Sequence, residues 1–298
     1  MEKEILENFS QLKSKASVQS FYEKALNIIT SALNNINNTK NLTNLSYNET
    51  RIFPIGDYTN DTFIDQEGGL EIVIANSNPQ LRLANQTFVK NIKNARTKKQ
   101  MKEISNRGTL DEFIFNFLNV LAQFFDESSI LIVVEEGIKV LCYEEYGFKL
   151  TIRFATYTVD DEYAILDFWN PIKKCSSKVN LFSYNDAIAK KDKETNGNYK
   201  KLVRIFKNIR KTILMNKWAA SGDINKYFVE LMVYNIPNSL MQDKDVVLLV
   251  TKSFNYLDNC NLLNFKTFDG KSIENFDMAK ITYYKMKKFI MYLRKVLY

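Results

Sequence analysis

The sequence predicts an α+β protein in which a small α/β domain packs on a helical one. Three observations predict it. The apolar spacing changes along the chain from helix to strand, to helix, to several strands, and then to helices. No segment repeats itself, and no Pro- or Gly-rich linker separates the strand-bearing region from the helical one.

Each element has its own signal. From Glu2 to Ile36, apolar residues including Phe21, Ala25, Ile28, Ile29 and Leu33 recur at helical spacing, which predicts an amphipathic helix or helix pair. Asn- and Thr-rich residues 34–50 break that pattern, and the apolar run Leu70 to Ala75 then reads as a strand entered through Gly68-Gly69. Phe113, Phe117, Leu118, Leu121 and Phe125 share one side of a helix predicted between Leu110 and Phe125. Ile130 to Val134, Ile138 to Tyr143 and Phe148 to Thr156 read as strands, the last two joined by a turn at Glu144-Glu145-Tyr146-Gly147. From Asn198 onward the spacing is helical almost throughout. The domains expected are an N-terminal helical segment over 1–48, an α/β core over 49–175 and a helical domain over 176–298.

Composition removes several chemistries. The chain has 298 residues, 45% of them hydrophobic, enough for one large core or two modest ones. It contains no histidine, so imidazole bases, Ser-His or Cys-His nucleophile pairs and histidine metal ligands are excluded. Cys142, Cys175 and Cys260 are far apart without paired spacing, which points to neither a disulfide framework nor a zinc site. No run approaches a membrane span and the N-terminal residues are charged, so the expectation is a cytoplasmic protein with no membrane partner. The net charge of +7 favours anionic partners and also serves solubility.

The informative stretch is Phe53-Pro54-Ile55-Gly56-Asp57-Tyr58-Thr59-Asn60-Asp61-Thr62, continued by Gly68-Gly69-Leu70-Glu71-Ile72-Val73-Ile74. It resembles the signature of the nucleotidyltransferase superfamily that includes DNA polymerase β, oligoadenylate synthetase, cyclic GMP-AMP synthase and the bacterial CD-NTases. In that signature Gly-Ser opens a helix beside a triphosphate, and a strand carrying Asp-x-Asp follows about a dozen residues later. Gly56, Thr62 and the apolar strand match in type and spacing. Two later segments match in order: Val203-Arg204-Ile205-Phe206-Lys207 is similar to the family's spine helix, and Tyr227 to Asn238 is similar to its Ser-Phe-Leu-Ile-Glu-x-Leu-x-x-Asn-Val-Pro helix. The resemblance spans about residues 50 to 240 and implies a nucleotidyltransferase-fold mixed sheet with helices, packed on a C-terminal helical domain.

The residues that such chemistry requires are replaced. Two-metal phosphoryl transfer needs two or three clustered carboxylates to hold the cations. At the two Asp positions stand Gly69 and Glu71, and the third falls on Thr151, or on Arg153 under a two-residue shift. The serine after the glycine is Asp57, whose carboxylate would repel phosphate, and the serine opening the later helix is Lys226. Among the nucleotide-binding candidates Gly56, Asp57, Lys207 and Lys226, only Lys207 keeps the family's phosphate-contacting type. Asp65, Glu67 and Glu71 offer a shifted acid cluster, which Asp160-Asp161-Glu162 would approach; those three acids also fit a solvated hairpin turn.

Lys200, Arg204, Lys207 and Lys211 recur at i, i+4, i+7 and i+11 and share one helix face opposite Leu202, Ile205 and Ile209, either a solvated stripe or a nucleic-acid contact. Basic residues between Lys90 and Lys102 and between Ala279 and Tyr298 fit solvated or docked amphipathic helices. The reading that follows is a catalytically degenerate, CD-NTase-like protein that binds or regulates without chemistry, needs no cofactor, and works with a protein partner or an active paralogue. The first alternative is an active nucleotidyltransferase, Mg²⁺-dependent and with Glu71 as its remaining ligand, that makes a cyclic or linear oligonucleotide or modifies an RNA end. The second is a nucleic-acid-binding module using the basic face.

Overall fold

The computed structural model describes residues 1–11, 15–38, 50–64, 70–76, 117, 119, 130–134, 138–143, 149–160, 163–170, 175–220, 223–273 and 279–298. The chain divides into two compact units. One comprises Met1–Lys13, Thr59–Glu67 and Phe182–Tyr298, the other Ser14–Tyr58 and Gly68–Leu181. No helix among the described residues is long and apolar enough to cross a membrane.

The second unit holds helix α2 (Lys15–Asn38) and a seven-stranded mixed sheet of β1 (Thr50–Ile55), β2 (Leu70–Asn76), β3 (Ile130–Val134), β4 (Ile138–Tyr143), β5 (Lys149–Asp160), β6 (Tyr163–Asn170) and β7 (Cys175–Asn180). The path runs β1-β2-β5-β4-β3, with β6 pairing β5 and then β7. Among the described strands only β2 and β5 run parallel; the other pairs are antiparallel. Parallel strands are covered on both faces, which is why β2 is apolar on both sides apart from Glu71 and its terminal Asn76. Leu70, Ile72 and Ile74 are buried on one side, and Val73 and Ala75 on the other, where they meet Ala155, Tyr157, Leu166 and Phe168.

The first unit is helical: α1 (Lys3–Ser10), α3 (Leu181–Glu194), α4 (Asn198–Met215), α5 (Lys226–Tyr234), α6 (Val246–Asn259) and α7 (Ala279–Leu297). Gly197, at φ 83°, supplies the left-handed link between α3 and α4. Asp192 and Thr195 accept from the Lys200 and Tyr199 backbone N–H groups, so the opening donors of α4 are satisfied. Asn225 and Asp245 cap α5 and α6 in the same way. Helix α4 is the spine of this unit. Leu202, Val203, Ile205, Phe206, Ile209 and Ile213 are all fully buried, and the core extends to Val229 and Val233 of α5, Leu249 of α6 and Phe289 of α7.

The expected α+β class with a mixed sheet is present, and the N-terminal residues form the helix pair α1 and α2. Strands β1, β6 and β7 and helix α3 are additions that apolar spacing did not predict. Asp160 ends β5 and pairs with Tyr163, the first residue of β6, while Asp161 and Glu162 lie outside the described residues. So do the basic run 90–102 and, apart from Phe117 and Asn119, the helix predicted over 110–125.

Candidate functional site

In the sheet unit, the signature residues gather at the junction of β1, β2 and β5. Strand β1 ends at Ile55, opposite Glu71, and the chain turns at Gly56 with φ 78°. A side chain is disfavoured there on backbone grounds, and a Cβ would sit 3.5 Å from Glu71 Oε2. The turn is tied to α2: Tyr58 donates its hydroxyl to Gln19 Oε1 at 2.7 Å and stacks on Tyr22 with ring centroids 5.2 Å apart. Asp57, half-buried, lies within this turn.

The parallel register places Thr151 directly across from Glu71. Of the two candidates for the signature's third position, Thr151 stands across from Glu71 and Arg153 one pleat further along the same face. Arg153 does not stay apart from Glu71. Its guanidinium donates to Glu71 Oε1 at 3.3 Å, and its Cζ lies 3.9 Å from the centroid of the buried Phe168 ring. A stacked, hydrogen-bonded guanidinium is an oriented positive charge. It lies against Glu71, the one carboxylate that the signature retains.

Among the described residues, this arrangement does not supply the ligand set of a two-cation site. Mg²⁺ bound through protein carboxylates takes one or two of them with phosphate help, and a two-metal site needs more. Glu71 faces a guanidinium and a threonine instead. Among the described residues no group of three or more His, Cys, Asp or Glu side chains is gathered for a metal. Gly69, Asp65 and Glu67 lie outside the described residues.

In the helical unit, Lys207 has no solvent exposure, which corrects its placement on a solvated stripe. Its ammonium donates to Glu230 Oε1 at 2.5 Å and to Thr62 Oγ1 at 3.1 Å. Thr62 donates to Glu230 Oε1 at 3.0 Å, and Tyr184 donates to Glu230 Oε2 at 2.6 Å. A buried ion pair is tolerated only when its remaining hydrogen-bonding capacity is met in this way. Thr62 of the first signature, Lys207 of the second and Glu230 of the third thus meet in one network. Sequence reading recorded these matches separately and missed that they converge.

The rest of the basic face is also engaged. Lys200 pairs with Asp61 at 3.3 Å, and Arg204 donates to the carbonyls of Ser10 and Asp61, each at 2.8 Å. Burial pushes the Arg204 guanidinium below its ordinary value, with Asp192 and Asp61 acting in the opposite direction. The reason for the correction is that α4 is enclosed nearly all round, so its polar face is internal too. Lys211 is half-buried, and Lys226 opens α5. Four phosphate contacts on duplex DNA would give a slope of log affinity against log salt of roughly −3 to −4. The expected slope here is shallower than about −1. A slope of about −3 that flattens in Lys200→Ala combined with Lys211→Ala would reinstate the nucleic-acid interface.

Residues 186–297 match the cGAS/DncV-like nucleotidyltransferase C-terminal helical domain. The whole chain is similar in fold to the Rhodothermus marinus CdnE c-UMP-AMP synthase, at TM-score 0.66 and 17% identity over 99% of this chain and 97% of that one. Residues 186–297 thus carry the C-terminal helical domain of the CD-NTase type. The Elizabethkingia meningoseptica CdnE cyclic dinucleotide synthase superimposes on this chain at TM-score 0.64 and 15% identity, covering 100% of this chain and 99% of that one. In sequence, the chain is 26% identical over 238 residues to the cyclic nucleotide synthase CdnE01 of Staphylococcus haemolyticus, 74% of each chain.

Proposed function

We propose that this chain is a CD-NTase-like protein that acts in the cytoplasm as a non-catalytic binding or regulatory module, working on a protein partner or an active paralogue. The observation that carries the reading is the 3.3 Å ion pair between Arg153 and Glu71, with Thr151 across from Glu71 where the signature expects an acid. A guanidinium at that place repels the cations on which nucleotidyl transfer depends.

A second reading is a working nucleotidyltransferase that makes a cyclic or linear oligonucleotide with Mg²⁺. Relatedness supports it better than it supports the first. The S. haemolyticus relative is a cyclic nucleotide synthase, and the R. marinus and E. meningoseptica proteins of like fold are synthases by name. Its acids would be Glu71 with Asp65 and Glu67.

One experiment separates the two. The purified chain is incubated with the four nucleoside triphosphates and Mg²⁺ or Mn²⁺, with and without RNA and DNA, and products are resolved by chromatography. The first reading expects nothing above a no-protein control. Product that disappears in Glu71→Ala would establish the second.

A further inference from the structure

On the face of β2 and β5 that carries the signature, the order of side chains is unusual for a cation site. Glu71 is the sole acid at the signature's metal-ligand positions among the described residues. Its Oε2 side faces the Gly56 turn, where a Cβ would lie in ordinary contact at 3.5 Å. Its Oε1 side is taken by Arg153. Arg153 is held from below by Phe168, itself 2% exposed, and its own side chain retains only 14% exposure.

These contacts make the guanidinium a fixed part of the site. A surface arginine would swing away from a carboxylate at little cost, because an exposed ion pair contributes little. Arg153 gives up both a stacking partner and a charge-assisted hydrogen bond if it leaves. The position two residues beyond Thr151 on a parallel neighbour is also where a long side chain reaches back diagonally to Glu71.

We infer that Arg153 is the built-in counter-charge of Glu71, occupying the place of the divalent cation and excluding metal from this face even where a second carboxylate is supplied. The inference deepens the non-catalytic reading and rests on it: it names the residue that makes the site refractory. Loss of the acids alone would leave a site that regains cations as soon as an acid is restored. Exclusion by Arg153 makes restoration fail until the guanidinium is removed.

The test is Mn²⁺ binding, read from the electron paramagnetic resonance signal of the free ion, in the full chain without nucleotide. Four variants share the substitution Thr151→Asp, which places a carboxylate across from Glu71. One retains Arg153, and the others carry Arg153→Met, Arg153→Gln or Arg153→Lys. The two neutral replacements are expected to bind Mn²⁺ at least about tenfold more tightly than the variants with Arg or Lys, a margin set to exceed the few-fold scatter expected from unrelated surface sites. Adding Glu71→Gln to either neutral variant should abolish the gain.

Equal Mn²⁺ affinity with and without Arg153 would overturn the inference, as would folded neutral variants that gain nothing. The unmodified chain gives a further decision that needs no variant with a changed β5. Saturable binding below about 100 μM that Glu71→Gln removes would show that metal enters despite Arg153. The non-catalytic reading fails on a different observation, product formed from nucleoside triphosphates, so the two failures are told apart.

Discussion

Replacing Lys207 with Met is expected to lower the unfolding free energy by about 3–5 kcal/mol, the range for breaking a buried ion pair by removing one partner. The magnitude follows from burial. Neither side chain has water to fall back on, at 0% and 4% exposure for Lys207 and Glu230. Glu230 would keep the hydroxyl donors of Thr62 and Tyr184, which places the loss toward the lower end of that range. The double variant Lys207→Met with Glu230→Met removes both charges and is expected to recover much of the loss, because an apolar pair of similar volume carries no desolvation penalty. Urea unfolding followed by Trp218 fluorescence in a Trp169→Phe background measures both. A single-variant loss under about 1 kcal/mol, the scale of an exposed pair, would mean that water reaches the network.

That network also shows where sequence reasoning reaches and where it stops. Lys207 shares a helical spacing with Lys200, Arg204 and Lys211, and spacing alone assigns such a face to solvent. What buries it is tertiary: α4 is surrounded, and the Thr59–Glu67 segment supplies Thr62 from 145 residues away. The identity of Thr62, Lys207 and Glu230 was on the page as three separate matches, but no local pattern says that they touch.

The sheet divides in the same manner. Strands β2 and β5 were legible because β2 is apolar on both faces and β5 has apolar residues at alternate positions. Strand β7, Cys-Ser-Ser-Lys-Val-Asn, was not, since among the described strands it pairs with β6 alone and it carries little apolar signal. Strand β6 has Asp167 in its middle, which breaks the apolar run although that residue is itself buried. Which of Thr151 and Arg153 stands across from Glu71 needed the register, and it is Thr151. That Arg153 then bends back to Glu71 over Phe168 depends on a strand whose presence sequence reading did not foresee.

The same geometry sets the terms for rebuilding a nucleotide site. Putting back the signature acids with Gly69→Asp and Thr151→Asp, and the phosphate-side hydroxyl with Asp57→Ser, supplies ligands but leaves Arg153 in place beside Glu71. The triple variant is therefore expected to gain little Mg²⁺-dependent affinity for ATP or GTP. Adding Arg153→Val removes the guanidinium and keeps a β-branched residue suited to the strand. This quadruple variant is expected to bind Mg²⁺-nucleotide at least about a hundredfold more tightly than the parent, or about 2.7 kcal/mol, with the gain abolished by chelation. Binding is the proper readout, because catalytic groups act non-additively and supporting contacts around a lost site need not survive. Isothermal calorimetry across parent, triple and quadruple variants, each checked for folding by circular dichroism, gives the comparison. Equal gains in the triple and quadruple variants would show that missing acids, and not the arginine, keep metal and triphosphate away.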